Sequence, residues 1–331
     1  MLSTLVVGTL IQTGVVIILC VGFTFTYMVE KFPNFGHTAI ATLGTVVSFT
    51  LVKVYGFDPY AAIPFSMAFC GIVGLLLYFL VVRPIKATGA HEITVTFAFF
   101  AIAEMLASLV NIYSYWFLLS QGQQSAGFSL MGYDFEWGGY PGILLFTLPV
   151  CAVLVVALYV FFTKMKNGIA FRAVAEDEPL ASSLGINVRR IHTLSWFMTG
   201  ALAGLAGGLI PLWQYTGLGY NDQFLVIVMA GSVMGGLNSV TGAVVGGFLA
   251  AFSQKALGEI AIALFGLQAV AYEALYPMIF IVAILMIEPN GVMGIFENLN
   301  LYSGNVFVKL WKMLTGRLRF GRGRLTGEMQ G

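Results

Sequence analysis

GIAFRAVAEDEPLASSLGINVRR, residues 168–190, is a polar run in a chain of 331 residues of which only 9% are charged and 59% hydrophobic. Together with the residues just before it, it gathers Lys164, Lys166, Arg172, Glu176, Asp177, Glu178, Arg189 and Arg190 into one short interval. Everything around it is oily. A mean hydropathy of +0.89 leaves too little polar surface to cover a soluble globule. Apolar runs of about 18 residues or more recur on both sides, the length a helix needs to cross roughly 30 Å of hydrocarbon. The ten-residue alternation of a membrane barrel is not found. The fold class that follows is an all-α integral membrane protein, a polytopic helix bundle with residues 168–190 as a water-exposed element near its middle.

Membrane segments are expected at 5–27, 38–52, 61–82, 93–113, 141–162, 193–210, 224–252 and 269–287, about eight in all. They form one transmembrane domain over 1–308, with 164–190 as its exposed segment. Residues 309–331 form a basic tail whose Lys309, Lys312, Arg317, Arg319, Arg322 and Arg324 suit anionic lipid. The first Lys or Arg is Lys31, so residues 5–27 lack the basic start of a cleaved leader and are expected to stay as a helix.

Basic residues set the sides. Arg83 and Lys86 follow the third segment, and Lys164, Lys166, Arg172, Arg189 and Arg190 follow the fifth, whereas 114–140 and 211–223 hold no Lys or Arg. The basic segments and the tail are expected in the cytoplasm. Aromatic residues agree: Tyr113, Tyr115, Trp116, Tyr133, Trp137 and Tyr140 flank one outer interval, and Trp213, Tyr215 and Tyr220 the other. With 193–210 running outward and 269–287 inward, residues 224–252 must supply an even number of crossings. That glycine-rich stretch is therefore expected to be broken or re-entrant. LVVRP at 80–84 and LMIEPNG at 285–291 each close an apolar run with a charge and a proline. Internal duplication and the common placement of proline after a helix end both account for this.

Enzyme motifs are missing. No GxxxxGK[ST] loop is present to hydrolyse nucleotide, and His37, His91 and His192 are scattered, with no HExxH or CxxC to hold a metal. Cys20, Cys70 and Cys151 lie in apolar segments as small buried hydrophobes. Packing signals are plentiful instead. Gly200, Gly204 and Gly208 recur every fourth residue, and Gly242 with Gly246 repeats the spacing, as does Gly231 with Gly235. Small residues at this interval let helix backbones approach where lipid offers no hydrophobic drive; the same spacing suits thin helices that rock along a transport path.

FPNFGH at 32–37 is a polar, proline-containing interruption at the start of a membrane segment. It is either a simple loop or a broken helix whose free backbone groups meet a polar solute. Glu104 lies within FFAIAEMLASL, and a carboxylate in hydrocarbon costs on the order of 3 kcal/mol, so it is expected to face the bundle interior. Both a structural hydrogen bond and a role toward a proton or solute fit it. Glu273 is expected at the interface.

Within the opening segment, Asp177 can cap a helix with Pro179 in its first turn, and Gly185 is a natural stop. Leu180, Leu184, Ala173 and Ala181 offer a small apolar face. A short amphipathic helix on the cytoplasmic surface is the expected result.

The runs GIAFRAVAEDEPLASSLGIN, ALAGLAGG at 201–208 and MGGLNSVTGAVVGG at 234–247 resemble the permeases of ATP-binding cassette importers for branched-chain amino acids. FPNFGH, and RPIK followed by TVTFA, resemble the N-terminal half of that family, nearest its LivH type. The likeness extends over about residues 10–295. It implies a permease subunit of the inner or plasma membrane with no cofactor of its own. Its partners would be a second, LivM-like permease, two cytoplasmic subunits carrying ATP and Mg, and an extracytoplasmic solute-binding protein. It places the coupling helix on 172–187, with Arg172, Ala173, Glu176, Asp177, Ala181, Leu184, Gly185 and Asn187 as its contact residues. Asn34, Phe35, Gly36, His37, Thr96, Glu104, Gly235, Gly236 and Asn238 become candidates for the solute path. Related permeases carry urea, ribose or other small polar solutes, and a self-sufficient channel or ion-coupled carrier built on Glu104 is the competing class.

Overall fold

The structure, a computed structural model, describes residues 4–121, 127–217 and 220–300. The basic tail after residue 308 lies outside the described residues. Among those described, seven helices are long and apolar enough to cross a membrane, and a shorter apolar helix at Phe224–Gly235 joins them. The chain is a polytopic α-helical membrane protein.

Helix α1 (Thr4–Glu30) runs down the centre of the bundle. Helix α2 (His37–Lys53) starts halfway up it, and α3 (Pro59–Leu77) returns. A wider turn at Tyr78–Val82 carries α3 into α4 (Arg83–Ala87). The sequence pattern suggests an end at Pro84, but the helix continues past it. Proline in the first turn of a new helical stretch lacks only an N–H that the loosened turn has already freed.

Helix α5 (Glu92–Gln121) is a single 30-residue rod, so Tyr113, Tyr115 and Trp116 lie on its last turns rather than in a loop. Helix α6 (Gly142–Lys164) leads to α7 (Lys166–Glu176) and α8 (Glu178–Ser183), and α9 (Val188–Trp213) crosses again.

The 224–252 region is broken, as expected, into a shorter apolar helix and one of span length. Helix α10 (Tyr220–Gly235) and α11 (Val240–Phe265) lie against each other as an antiparallel pair joined by residues 236–239. A 3-10 stretch at Leu267–Tyr272 precedes α12 (Leu275–Ile287), and α13 (Gly291–Asn300) follows. The expected start of the last span at 269 thus falls in the 3-10 turns.

Two ends are distinguishable. One gathers Lys31, Lys86, Lys164 and the α7–α8 segment, tied together by the pairing of Glu30 with Lys86 and by the tilted and edge-on contacts of Phe25 with Phe162 and Phe171. The other is closed by two small antiparallel ladders, β1 (Gly127–Phe128) with β4 (Thr216–Gly217) and β2 (Glu136–Trp137) with β3 (Tyr140–Pro141). Phe128 is buried there against Phe49 at 5.0 Å between ring centres. Lys53 sits at this end too, 4.7 Å over the Tyr133 ring.

The core is the contact of α9 with α1, α2 and α3. Close approach here depends on missing side chains: a Cβ on Gly207 would stand 1.9 Å from the Ala41 carbonyl oxygen, and one on Gly200 2.2 Å from that of Cys70. The Gly200–Gly204–Gly208 spacing therefore marks the right helix, while the tightest contact belongs to Gly207, one position off it. Hydroxyls supplement the packing. Thr199 donates to the Gly22 carbonyl (3.1 Å), Thr45 to that of Gly207 (2.8 Å), and Ser66 to those of Gly44 (2.8 Å) and Gly204 (3.0 Å). Gly242 and Gly246 do the same work on the α10–α11 pair, against Gly235 and Gly231. The three cysteines are buried and free.

Candidate functional site

The interruption between α1 and α2 is a re-entrant segment. Lys31 ends α1 in the left-handed region, with φ 61°, the one non-glycine residue to do so among those described. The chain then doubles back, and His37 Nε2 donates to the Leu19 carbonyl at 3.0 Å. Leu19 lies about eleven residues back from Glu30 along α1, roughly 16 Å at 1.5 Å per residue. Helix α2 therefore begins near mid-depth and covers only the farther half of the bundle.

Its first turn is not capped by a side chain. Asn34 Oδ1 accepts from the Gly36 N–H at 3.1 Å, while Asn34 Nδ2 and His37 Nδ1, both fully buried, have no hydrogen-bond partner among the described residues. Because Nε2 carries the His37 proton, Nδ1 is an acceptor facing no donor. Free helix N–H groups with unfilled polar side chains at mid-depth are what a polar solute or ordered water would meet. Phe32 closes one side against Phe99 (5.4 Å) and Trp196 (6.4 Å), and Phe35 reaches Phe100 at 6.1 Å. Gly36 is buried beneath the Phe99 ring.

The remaining path candidates separate. Gly235 and Gly236 form the end of α10 and the turn after it, where Gly236 has φ 106°. Asn238 is not at membrane depth: it lies exposed in that turn, and its Oδ1 accepts from Lys31 Nζ at 3.3 Å. Burial pulls the Lys31 ammonium below its usual pKa, against the opposing charges of Glu92 and Glu176. Thr96 donates to the Glu92 carbonyl one turn back (3.0 Å) and does not reach the break. Glu104 corrects the expectation from cost alone. It is exposed on the outside of the bundle, because the buried face of α5 is taken by Val95, Phe99, Leu106, Val110 and Phe117.

A buried cluster that the sequence pattern did not single out stands at the basic end. Glu30 is 1% exposed, and its Oε1 accepts from His192 Nδ1 (2.7 Å) and Trp196 Nε1 (2.8 Å), while Oε2 pairs with Lys86 Nζ at 2.5 Å. His192 Nε2 lies 3.5 Å from Glu178 of α8. One carboxylate thus joins the end of α1, the extension of α3 and the start of α9, and His192 extends the connection to α8. The available signal was His192 and Trp196 one turn apart in α9, above Thr199 and Gly200 on the packed face.

The 168–190 segment forms by local rules. The Asp177 side chain accepts from the Leu180 N–H at 2.9 Å, Pro179 occupies the first turn, and Gly185 turns the chain at φ 83°. Asn187 caps α9 through the Arg190 N–H at 3.1 Å. It is two helices, however, because the cap that starts α8 needs Asp177 in extended backbone, and this ends α7 at Glu176. The apolar face also differs from the one expected. Phe171, Val174, Ala175 and Ala181 are buried, Ala173 is half-buried, and Leu180 (56%) and Leu184 (73%) are exposed, as are Arg172 and Glu176.

A bundle of this kind, with a re-entrant half-helix and a polar element at one end, is a membrane permease rather than an enzyme. Residues 5–287 match the family described as "Branched-chain amino acid transport system / permease component", and the chain belongs to that family. It is 33% identical over 87% of its length, and 91% of the other, to a "Probable branched-chain amino acid transport permease protein LivH" of Methanocaldococcus jannaschii. BraD of Pseudomonas aeruginosa, a "High-affinity branched-chain amino acid transport system permease protein", shares 25% over 84% of this chain and 91% of that one. LivH of Escherichia coli K12, also a "High-affinity branched-chain amino acid transport system permease protein", shares 23% over 84% of this chain and 90% of that one. The chain is a permease subunit of an ATP-binding cassette importer, and the self-sufficient carrier is not favoured.

Proposed function

We propose that this chain moves branched-chain amino acids into the cytoplasm, driven through the α7–α8 segment by separate ATPase subunits. The observation that carries the proposal is the form of that segment: Leu180 and Leu184 stand exposed at its tip while Ala181, Phe171 and Val174 anchor it. An exposed leucine pair on a capped helix is a shape that a partner's groove can grip. Movement of α8 would pass to α9 through His192 and from there to α1 through Glu30. On this reading the basic end is cytoplasmic, the membrane is the cell's inner or plasma membrane, and the C-terminal tail is on the cytoplasmic side.

The partners are a second permease of the same family, two ATP-binding subunits holding ATP and Mg, and a solute-binding protein on the outer side. The chain itself has no cofactor. Support for the solute comes from the relatives above, which are themselves branched-chain amino acid permeases by name. Uptake of radiolabelled leucine by the complete transporter tests the reading. Charge reversal at Arg172, or at Glu176 with Asp177, is expected to abolish uptake and solute-stimulated ATP hydrolysis while the solute-binding protein still binds leucine. Normal uptake by these variants would remove the coupling role.

A further inference from the structure

A cavity of about 530 Å³ opens at the basic end of the bundle, between α3 and α9 where α7 meets them. Its rim carries Arg189 and Arg190 of α9 and Asn167 of α7, all exposed, and its floor is Leu75 of α3 with Leu194 and Phe197 of α9. Arg190, Leu194 and Phe197 stand four and then three residues apart, on one face of α9. The cavity therefore passes from charge to oil over seven residues, roughly 10 Å. Gly71 makes room for the oily end, since a Cβ there would stand 2.7 Å from the Phe197 ring. The charge at the rim is unanswered. Neither guanidinium pairs with a carboxylate among the described residues, while Glu30 and Glu178 at the same end turn to Lys86 and His192. Helix α9 is apolar and long enough to span the membrane from Val188, which puts its first turn at headgroup level and Phe197 at the depth of acyl chains.

We propose that this cavity is a binding site for one anionic phospholipid. The phosphate lies between Arg189 and Arg190, whose planar forks match phosphate oxygens, and one acyl chain lies along Leu75, Leu194 and Phe197. The Asn167 carboxamide donates to an ester or phosphate oxygen. Basic pockets between membrane helices take lipids in this way. A soluble acidic partner would match the rim alone and leave the apolar floor unfilled. The bound lipid fastens α7 to the start of α9, at the joint between the polar segment and the bundle.

Native mass spectrometry of the transporter in detergent, with phosphatidylglycerol and phosphatidylcholine added at equal concentration, tests the site. The wild type is expected to retain phosphatidylglycerol about tenfold better. The double change Arg189→Gln with Arg190→Gln should bring the two lipids to parity, and because both side chains are exposed the fold survives it. Lys164→Gln with Lys166→Gln, at the same end, should leave the preference intact. Deacylated glycerophosphoglycerol should fail to displace the lipid. Equal retention by the wild type, a preference that survives the arginine change, or one lost equally on the lysine change overturns the site. Displacement by the deacylated headgroup would reveal a phosphate site without an acyl chain and overturns it too. None of these readouts depends on which solute is carried.

Discussion

Helices α9 and α5 are both long and apolar enough to span a membrane, yet 72% of the most apolar stretch of α9 is buried within the chain against 17% for α5. The buried one is the less oily of the two. In water the reverse would hold, because burial there follows apolarity. Within a bilayer lipid is as apolar as leucine, so what draws a helix inward is the closeness of backbone contact and the hydroxyls that bridge it. Helix α9 supplies Gly200, Gly204, Gly207, Ser195 and Thr199; α5 has no glycine and turns large side chains such as Phe97, Met105, Leu109 and Trp116 outward.

The contrast can be broken most forcefully at Gly207. Gly207→Leu puts a side chain where a Cβ already lies 1.9 Å from the Ala41 oxygen, and is expected to abolish recovery of folded protein by size-exclusion chromatography. Leu109→Trp, a comparable enlargement on the exposed face of α5, should leave the yield unchanged. Next comes Glu30, which ties α9 to α1. Glu30→Ala strands His192, Trp196 and Lys86, and is expected to cost about 3–5 kcal/mol in denaturation by SDS.

The two faces of α5 give the third comparison. Phe99→Ala opens a hole beneath Phe32 and Trp196 at a cost on the order of 3 kcal/mol. Phe97→Ala, on the exposed face, should change stability by less than about 0.5 kcal/mol. Among the buried positions the smallest effect is expected at Thr199→Val, which removes the bond to the Gly22 carbonyl and the acceptor of Thr26, about 1 kcal/mol in the same assay. A cost above that of Phe99→Ala would mean that hydroxyl bridges, not close packing, hold α9 in place.

Legibility followed range. The cap at Asp177, the proline after it and the stop at Gly185 each depend on atoms within a few residues, and all three stand as the residue types require. The break at 32–37 was visible as polarity and proline, and the break within 224–252 as a run of glycines. Helix α5 was opaque in one respect: large apolar residues stand on its exposed face as well as its buried one, so the pattern does not say which face turns inward, and the cost of burying Glu104 pointed the wrong way. Leu180 and Leu184 misled similarly, since an apolar pair on a short helix suits a bundle or a partner equally well.

What the sequence determined by itself is the class of molecule, the approximate places of its apolar helices and the local form of residues 168–190. These rest on hydropathy, charge and capping, which are properties of neighbours in the chain. Only the tertiary structure decided that α2 begins at mid-depth, that Glu30 gathers three distant side chains, and that Glu104 faces outward. Each depends on which helix lies beside which, and in a bilayer that choice is made by shape and hydrogen bonding between surfaces of nearly equal oiliness.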